Sequence, residues 1–183
     1  MYLPLLPDAP TAALDSSWRL GLALACEQRL VFGVDVVFTF GPLGCLVTWQ
    51  YWPATYLPAI GFWFLVGGAA AWLALEAAQG LAERLRNVAA FSLLALTPDS
   101  ALLALPIAFV LHGWRTQRMS AAAWFGCAAL GPLALTKFTL LPVALLALLC
   151  GLGLRLLGWR TPVAVLLAIG AGAAALAAAS QPW

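Results

Sequence analysis

The residues of this sequence that could do chemistry are a few charged side chains set among long apolar stretches. Asp15, Asp35 and Asp99 offer carboxylates, and Lys137 is the single charged residue between positions 119 and 154. A carboxylate can act as a general base toward a hydroxyl, and a cation can stabilise a phosphate leaving group. An isolated charge at membrane depth indicates a functional position, although a lysine at a helix end also snorkels to the interface.

Cysteine and histidine give no metal motif in this sequence. The cysteines lie at positions 26, 45, 127 and 150 without a C-x-x-C pair, and His112 is the single histidine. Such cysteines mostly serve as small apolar filler. Cys26 and Cys45 lie in one polar region and can pair if that region faces an oxidising compartment.

Composition decides the broad class of protein. Of the 183 residues, 64% are hydrophobic and 9% are charged, against about 25% charged residues in an ordinary soluble domain. So few charges exclude a soluble enzyme, a disordered chain and a nucleic-acid-binding domain. The net charge of +2 is too small to indicate a polyanionic partner. The sequence predicts an integral membrane protein with several spans.

Charges and turn residues divide the chain into a polar region, 1–55, and an apolar remainder, 56–183. The first region has a candidate surface helix over 15–32 and turn formers around Gly41. The segment 56–79 is the first clear span, because about 1.5 Å per residue gives it a length of roughly 36 Å. The further apolar segments are 87–97, 100–113, 119–136, 138–154 and 161–179.

The stretch 87–113 has two interpretations, one span with Asp99 near its middle or two short helices broken at 97–99. A mid-membrane aspartate costs about 2.5–3.5 kcal/mol, which surrounding leucines can offset, so this cost does not decide. The positive-inside rule favours the broken pair, because two short helices place all six arginines between positions 84 and 160 on the same side of the membrane. These are Arg84, Arg86, Arg115, Arg118, Arg155 and Arg160.

The predicted fold is therefore an all-α polytopic transmembrane helix bundle with an external first loop that carries surface helices. Residues 1–50, Asp99 and Lys137 fall on the non-cytoplasmic side of a bacterial inner (plasma) membrane. Because Asp15 and Asp35 lie within 1–50, this topology gathers all four candidate residues at one face.

Three stretches in this order carry a family resemblance. They are residues 15–43, which open with DSSW and continue to FGVD and FTFGPL, residues 97–103 (TPDSALL) and residues 130–139 (LGPLALTKFT). Together they resemble the GT-C class of polytopic glycosyltransferases, and within it the protein O-mannosyltransferase and lipid A aminoarabinose transferase group. The resemblance covers roughly residues 15–155.

The resemblance implies transfer of a sugar from a polyprenyl-phosphate carrier to an acceptor on the non-cytoplasmic side. It assigns the catalytic base to Asp15. Lys137, an isolated charge at membrane depth, is the best candidate for the phosphate of the lipid. It leaves a divalent metal ion open as a cofactor and implies no other. The further substrate-binding candidates are Asp35, Asp99, Arg19 and Arg29.

These residues also have structural interpretations. A carboxylate at a helix start serves as an N-cap, which fits Asp15 and Asp99, and Asp35 can support a turn. The family usually has a second acid where Ser16 stands here, and it has a transmembrane helix before the loop. Family members also run to several hundred residues with more helices, so the chain is expected to be the front part of such a protein without its first helix.

A non-enzymatic interpretation stands beside the enzyme. The chain can instead be a polytopic membrane protein that binds carrier lipids, transports a solute or serves as a subunit, or an inactive remnant. Inverted repeats would favour a transporter, and the sequence has no visible internal repeat.

Overall fold

A computed structural model describes residues 9, 14–32, 34–94, 97–116, 118–153 and 160–180. Within these ranges the chain contains seven α-helices, a short 3₁₀ helix (Gly44–Val47) and no β-strand. The predicted all-α class is confirmed. The helices are α1 (Leu14–Glu27), α2 (Pro53–Glu76), α3 (Leu81–Leu94), α4 (Pro98–Thr116), α5 (Ala121–Ala134), α6 (Leu140–Gly153) and α7 (Arg160–Ser180).

Helices α2, α4 and α5 contact one another at the centre of the bundle. Helix α3 packs on α2 and α4, α6 packs on α4 and α5, and α7 packs on α5. The connections from α2 to α6 are short, so successive helices run antiparallel. Leu73, Leu105 and Leu133 are fully buried in this centre.

The antiparallel arrangement gives the bundle two distinct ends. The loop end has the start of α2, the α3–α4 and α5–α6 connections, and the N-terminal region (residues 14–52) packed on it. The arginine end has the other connections, with Arg84, Arg86, Arg115 and Arg118, and Arg160 opens α7 there. Arg155 lies outside the described residues.

The candidate surface helix is shorter than predicted, because α1 ends at Glu27 and not at residue 32. The Leu30 N–H donates to the Ala25 carbonyl at 2.9 Å and the Arg29 N–H donates to the Cys26 carbonyl at 3.2 Å. This pair of bonds is the Schellman motif, which ends a helix.

Helix α3 begins at Leu81, ahead of the predicted segment 87–97. The carboxylate of Glu83 accepts the Gln79 N–H at 2.9 Å, so it satisfies a backbone donor at the helix start. The charged residues Glu83, Arg84 and Arg86 therefore lie within α3.

Apolar side chains cover much of the outer surface of the bundle. Leu146 of α6 is 61% exposed and Leu166 of α7 is 66% exposed. Among the described residues, α2 alone is both long and apolar enough to cross a membrane. Shorter apolar helical stretches are Ala121–Ala134, Leu140–Cys150 and Pro162–Ala178.

Candidate functional site

Backbone hydrogen bonds join the N-terminal region to the α5–α6 turn at the loop end. The Gly41 N–H donates to the Thr136 carbonyl at 3.0 Å, and the Phe138 N–H donates to the Thr39 carbonyl at 3.1 Å. Gly41 has to be glycine here, because a Cβ would collide with the carbonyl of Leu135. The turn-forming residues around Gly41 therefore allow the backbone of the N-terminal region to approach the backbone of the α5–α6 turn closely.

Three residues from distant parts of the chain meet at this junction: Phe40, Asp99 and Lys137. We call these three residues the joint. The Lys137 Nζ donates to both carboxylate oxygens of Asp99, at 3.2 and 3.3 Å. It also lies 5.0 Å from the ring centroid of Phe40. The joint connects the N-terminal region, α4 and the α5–α6 turn.

Asp99 is free to bind Lys137 because another residue caps α4. The Thr97 hydroxyl accepts the Ser100 N–H at 3.3 Å, which is the N-cap bond expected at a helix start. Asp99 lies in the first turn of α4, where a negative charge also favours the helix dipole.

A cluster of aromatic rings lies next to the joint. Trp18 lies 5.2 Å from Phe40 and 5.7 Å from Phe38, measured between ring centroids. The Arg19 guanidinium carbon lies 5.3 Å from the Trp18 ring. We call Trp18, Phe38 and Phe40 the aromatic cluster. Phe38 is 39% exposed.

The remaining acidic candidates lie elsewhere in the N-terminal region. Asp15 is in the first turn of α1, and its side chain lies outside the described residues. The exposed Asp35 accepts the Val31 N–H on Oδ2 at 2.9 Å, so it supports a local turn. The structure therefore joins Asp99 with Lys137 and places Asp35 in a separate turn.

An outer cavity of about 660 Å³ lies between the N-terminal region and the bundle. Its walls come from α2, the end of α7, Pro132 of α5 and the loop around Leu30 and Pro42. A disulfide between Cys26 and Cys45 forms part of the wall and ties α1 to the 3₁₀ helix. The volume lies within the range of about 300–1,000 Å³ that is typical of ligand pockets.

Glu27 and Arg29 are the charged residues that line the outer cavity. Arg29 has a φ of 57°, in the left-handed region, at the Schellman position where glycine is usual. This conformation costs a non-glycine residue roughly 1–2 kcal/mol. A strained residue beside a cavity is a reason to consider a function for its side chain.

A polar cluster at the arginine end was not predicted from the sequence. His112 is 1% exposed, and its Nε2 lies 2.9 Å from Glu76 Oε2 and 3.1 Å from the Ser120 hydroxyl. These residues come from α2, α4 and the start of α5, so no local spacing marks them. Among the described residues, no group of three potential metal ligands is present.

Charged pairs complete the arginine end. The Arg115 guanidinium donates to Glu83 Oε1 at 3.2 Å, and Arg86 donates to the same oxygen at 3.3 Å. The pKa of the Glu83 carboxyl is lowered, chiefly because the Gln79 N–H donates to it. These contacts fix the α2–α3 connection to the end of α4.

No family model, curated protein sequence or solved structure matches this chain. The loop end combines cations, carboxylates and aromatic rings over an apolar bundle.

Proposed function

We propose that the chain is, or forms part of, a membrane glycosyltransferase of the GT-C type. It transfers a sugar from a polyprenyl-phosphate carrier to an acceptor on the non-cytoplasmic side. The observation that carries this proposal is the junction at the loop end. The stretches that resemble the family, 15–43, 97–103 and 130–139, meet there through Phe40, Asp99 and Lys137.

A polytopic arrangement in the membrane is part of the proposal. Exposed leucines on α6 and α7 would be unfavourable in water, by about 25 cal/mol for each Å² of apolar surface, and hydrocarbon removes this penalty. The arginine end faces the cytoplasm under the positive-inside rule. The loop end faces an oxidising compartment, where the Cys26–Cys45 disulfide persists.

The loop end supplies the groups that sugar transfer needs. Asp15 acts as the base toward the acceptor hydroxyl, and the cations Arg19, Arg29 and Lys137 are candidates for the phosphate of the carrier. The aromatic cluster offers flat apolar rings against which a sugar can pack. The joint positions the N-terminal region over the bundle.

The test is a transfer assay with the chain reconstituted in nanodiscs and radiolabelled polyprenyl-phosphate sugars as donors. We expect transfer by the wild type and a loss of about 10²-fold or more in Asp15→Asn, since a general base contributes about 10²–10⁴-fold. Asp8→Asn, the same substitution at an acid that precedes the stretch 15–43, is the control. Equal turnover in Asp15→Asn would remove this residue as the base. No turnover with any donor would show that the chain is not by itself a transferase.

A further inference from the structure

The polar cluster at the arginine end, formed by Glu76, His112 and Ser120, joins three helices through one carboxylate oxygen. Glu76 Oε2 lies 2.9 Å from His112 Nε2, and it also accepts the Ser120 hydroxyl. Ser120 is in addition the N-cap of α5, where its side chain accepts the Ala123 N–H. The polar cluster therefore fixes the end of α2 to α4 and to the start of α5.

The geometry of the polar cluster does not fit a catalytic relay, but it does fit proton binding. In a relay of serine, histidine and acid, the serine and the acid bind opposite nitrogens of the imidazole ring. Here Ser120 and Glu76 both lie at Nε2 of His112, at 3.1 and 2.9 Å. An imidazole beside a carboxylate can still take up and release a proton near neutral pH.

Both ionisable members of the polar cluster are isolated among apolar residues. Glu76 is the single charged residue between positions 53 and 82, and His112 is the single histidine of the chain. Their side chains are 30% and 1% exposed, respectively. Apolar residues of similar volume often stabilise a protein interior at least as well as a buried ionisable pair does. Packing alone therefore gives no reason for this pair, and the exposed part of Glu76 gives protons access to it.

The charges around His112 decide what its protonation would do. Glu76 of α2 attracts a positive charge on the ring, and Arg118 in the α4–α5 connection repels it. Glu83, the acid of α3, is held by Arg115. The other ionisable groups of α3, α5 and α6 in the described residues are Arg84, Arg86, Cys127 and Cys150. The single attracting group that contacts His112 is therefore the carboxylate of Glu76.

We propose that the polar cluster is a proton-binding site that controls how tightly α2, α4 and α5 pack at the arginine end. When His112 is neutral, its Nε2–H and the Ser120 hydroxyl both donate to the Glu76 carboxylate, so the pair has one negative charge. One proton from water makes the pair neutral. On His112 it creates a cation that is almost closed to water; on Glu76 it removes the charge that both donors bind. The arginine end therefore loosens as the pH falls.

Proton binding can be measured on the imidazole itself, because the chain contains one histidine. The full chain, labelled with ¹⁵N-histidine and free of a polyhistidine tag, is titrated by NMR in detergent from about pH 8 to about pH 4.5. We expect one protonation step of His112 in this range. Glu76→Gln should move the step to lower pH by about one pH unit or more, because the carboxylate favours the imidazolium. A ring that stays in one protonation state, or an unchanged step in Glu76→Gln, would overturn the proposal.

The effect on packing is measured by thermal unfolding in detergent at about pH 8 and about pH 5. Between these values the melting temperature of the wild type should fall by at least about 3 °C more than that of His112→Gln, because glutamine keeps an N–H donor and takes up no proton. Glu83→Gln, an acid of the same end, is the control and should keep the wild-type dependence. If His112→Gln does not fold, Glu76→Gln replaces it, with the same expected loss of dependence. Equal dependence in the wild type and in the variant would reject the control of packing.

This inference is independent of the proposed transferase, because it uses no donor, acceptor or family resemblance. Sugar transfer by the wild type would neither support nor weaken it. The proposed topology adds one consequence: with the arginine end in the cytoplasm, the site responds to cytoplasmic pH.

Discussion

At the scale of single residues, the joint is held by several weak interactions. The Asp99 side chain is 72% exposed, and an exposed ion pair contributes about 0.2–1 kcal/mol. The contact of Lys137 with the buried Phe40 adds about 0.5–2 kcal/mol as a cation–π interaction at a partly buried site. The backbone hydrogen bonds of Gly41 and Phe138 therefore contribute a substantial share of the free energy that stabilises the junction.

A double-mutant cycle tests whether Lys137 and Asp99 act as a pair. We expect Lys137→Ala and Asp99→Ala each to lower the free energy of unfolding by about 0.5–1.5 kcal/mol, with a coupling energy of about 0.2–1 kcal/mol. The measurement is SDS unfolding in mixed micelles. Arg84→Ala combined with Asp99→Ala should be additive. Additive effects for Lys137 and Asp99 would show that the ion pair contributes nothing.

Sequence reasoning identified some of these residues and not others, for physical reasons. Lys137 was visible because it is an isolated charge, and its proximity to Asp99 followed from the predicted topology. Phe40 was not predicted as a partner of Lys137, because the path of an irregular loop leaves no periodic signal. The left-handed backbone at Arg29 was also invisible, since an arginine there violates the usual glycine preference.

At the scale of helices, small residues set the contact between α5 and α7. A Cβ on Gly131 would collide with the carbonyl of Ala168, whereas a Cβ on Gly170 would enter open space. Close approach of two backbones through small residues is typical of helices packed in a membrane. Gly131 is therefore required by the contact between α5 and α7, whereas Gly170 is not.

This difference makes a testable prediction. Gly131→Ala should destabilise the protein by about 1–3 kcal/mol, because the colliding atom belongs to the backbone and cannot move aside easily. Gly170→Ala, the matched control, should be neutral or stabilise by about 0.5–1 kcal/mol through helix propensity. The measurement is thermal unfolding in detergent. Equal effects of the two substitutions would contradict the assigned packing.

Helix boundaries followed the sequence only where a local signal was strong. The break between α3 and α4 lies next to Thr97 and Pro98, since a proline disfavours helical backbone in the residue before it and suits the first turn of a helix. Helix α1 ends before residue 32, the end that the sequence predicts, because the residue in the left-handed position after it is Arg29 and not the usual glycine.

At the scale of the whole molecule, the two ends have opposite character. The arginine end has the basic residues of the helix connections. Its acids Glu76 and Glu83 are bound by His112 and Arg115 respectively. The loop end has the disulfide, the aromatic cluster, the joint and the outer cavity. This polarity follows from alternating helix directions, which the distribution of arginines already indicated.

The central claim is that the loop end is the non-cytoplasmic face of a membrane protein with several spans. The most direct test is labelling of single introduced cysteines in intact cells with a membrane-impermeant thiol reagent. Asp99→Cys reports on the loop end and Arg118→Cys on the arginine end. Cys127 and Cys150 are replaced by alanine beforehand, because both are free thiols.

We expect the cysteine at position 99 to be labelled from the non-cytoplasmic side, and the cysteine at position 118 to be labelled only after the membrane is permeabilised. The positive-inside rule and the disulfide both require this result. Labelling of position 99 only after permeabilisation would contradict the topology, and with it the assignment of the loop end as the site of carrier-linked sugar transfer.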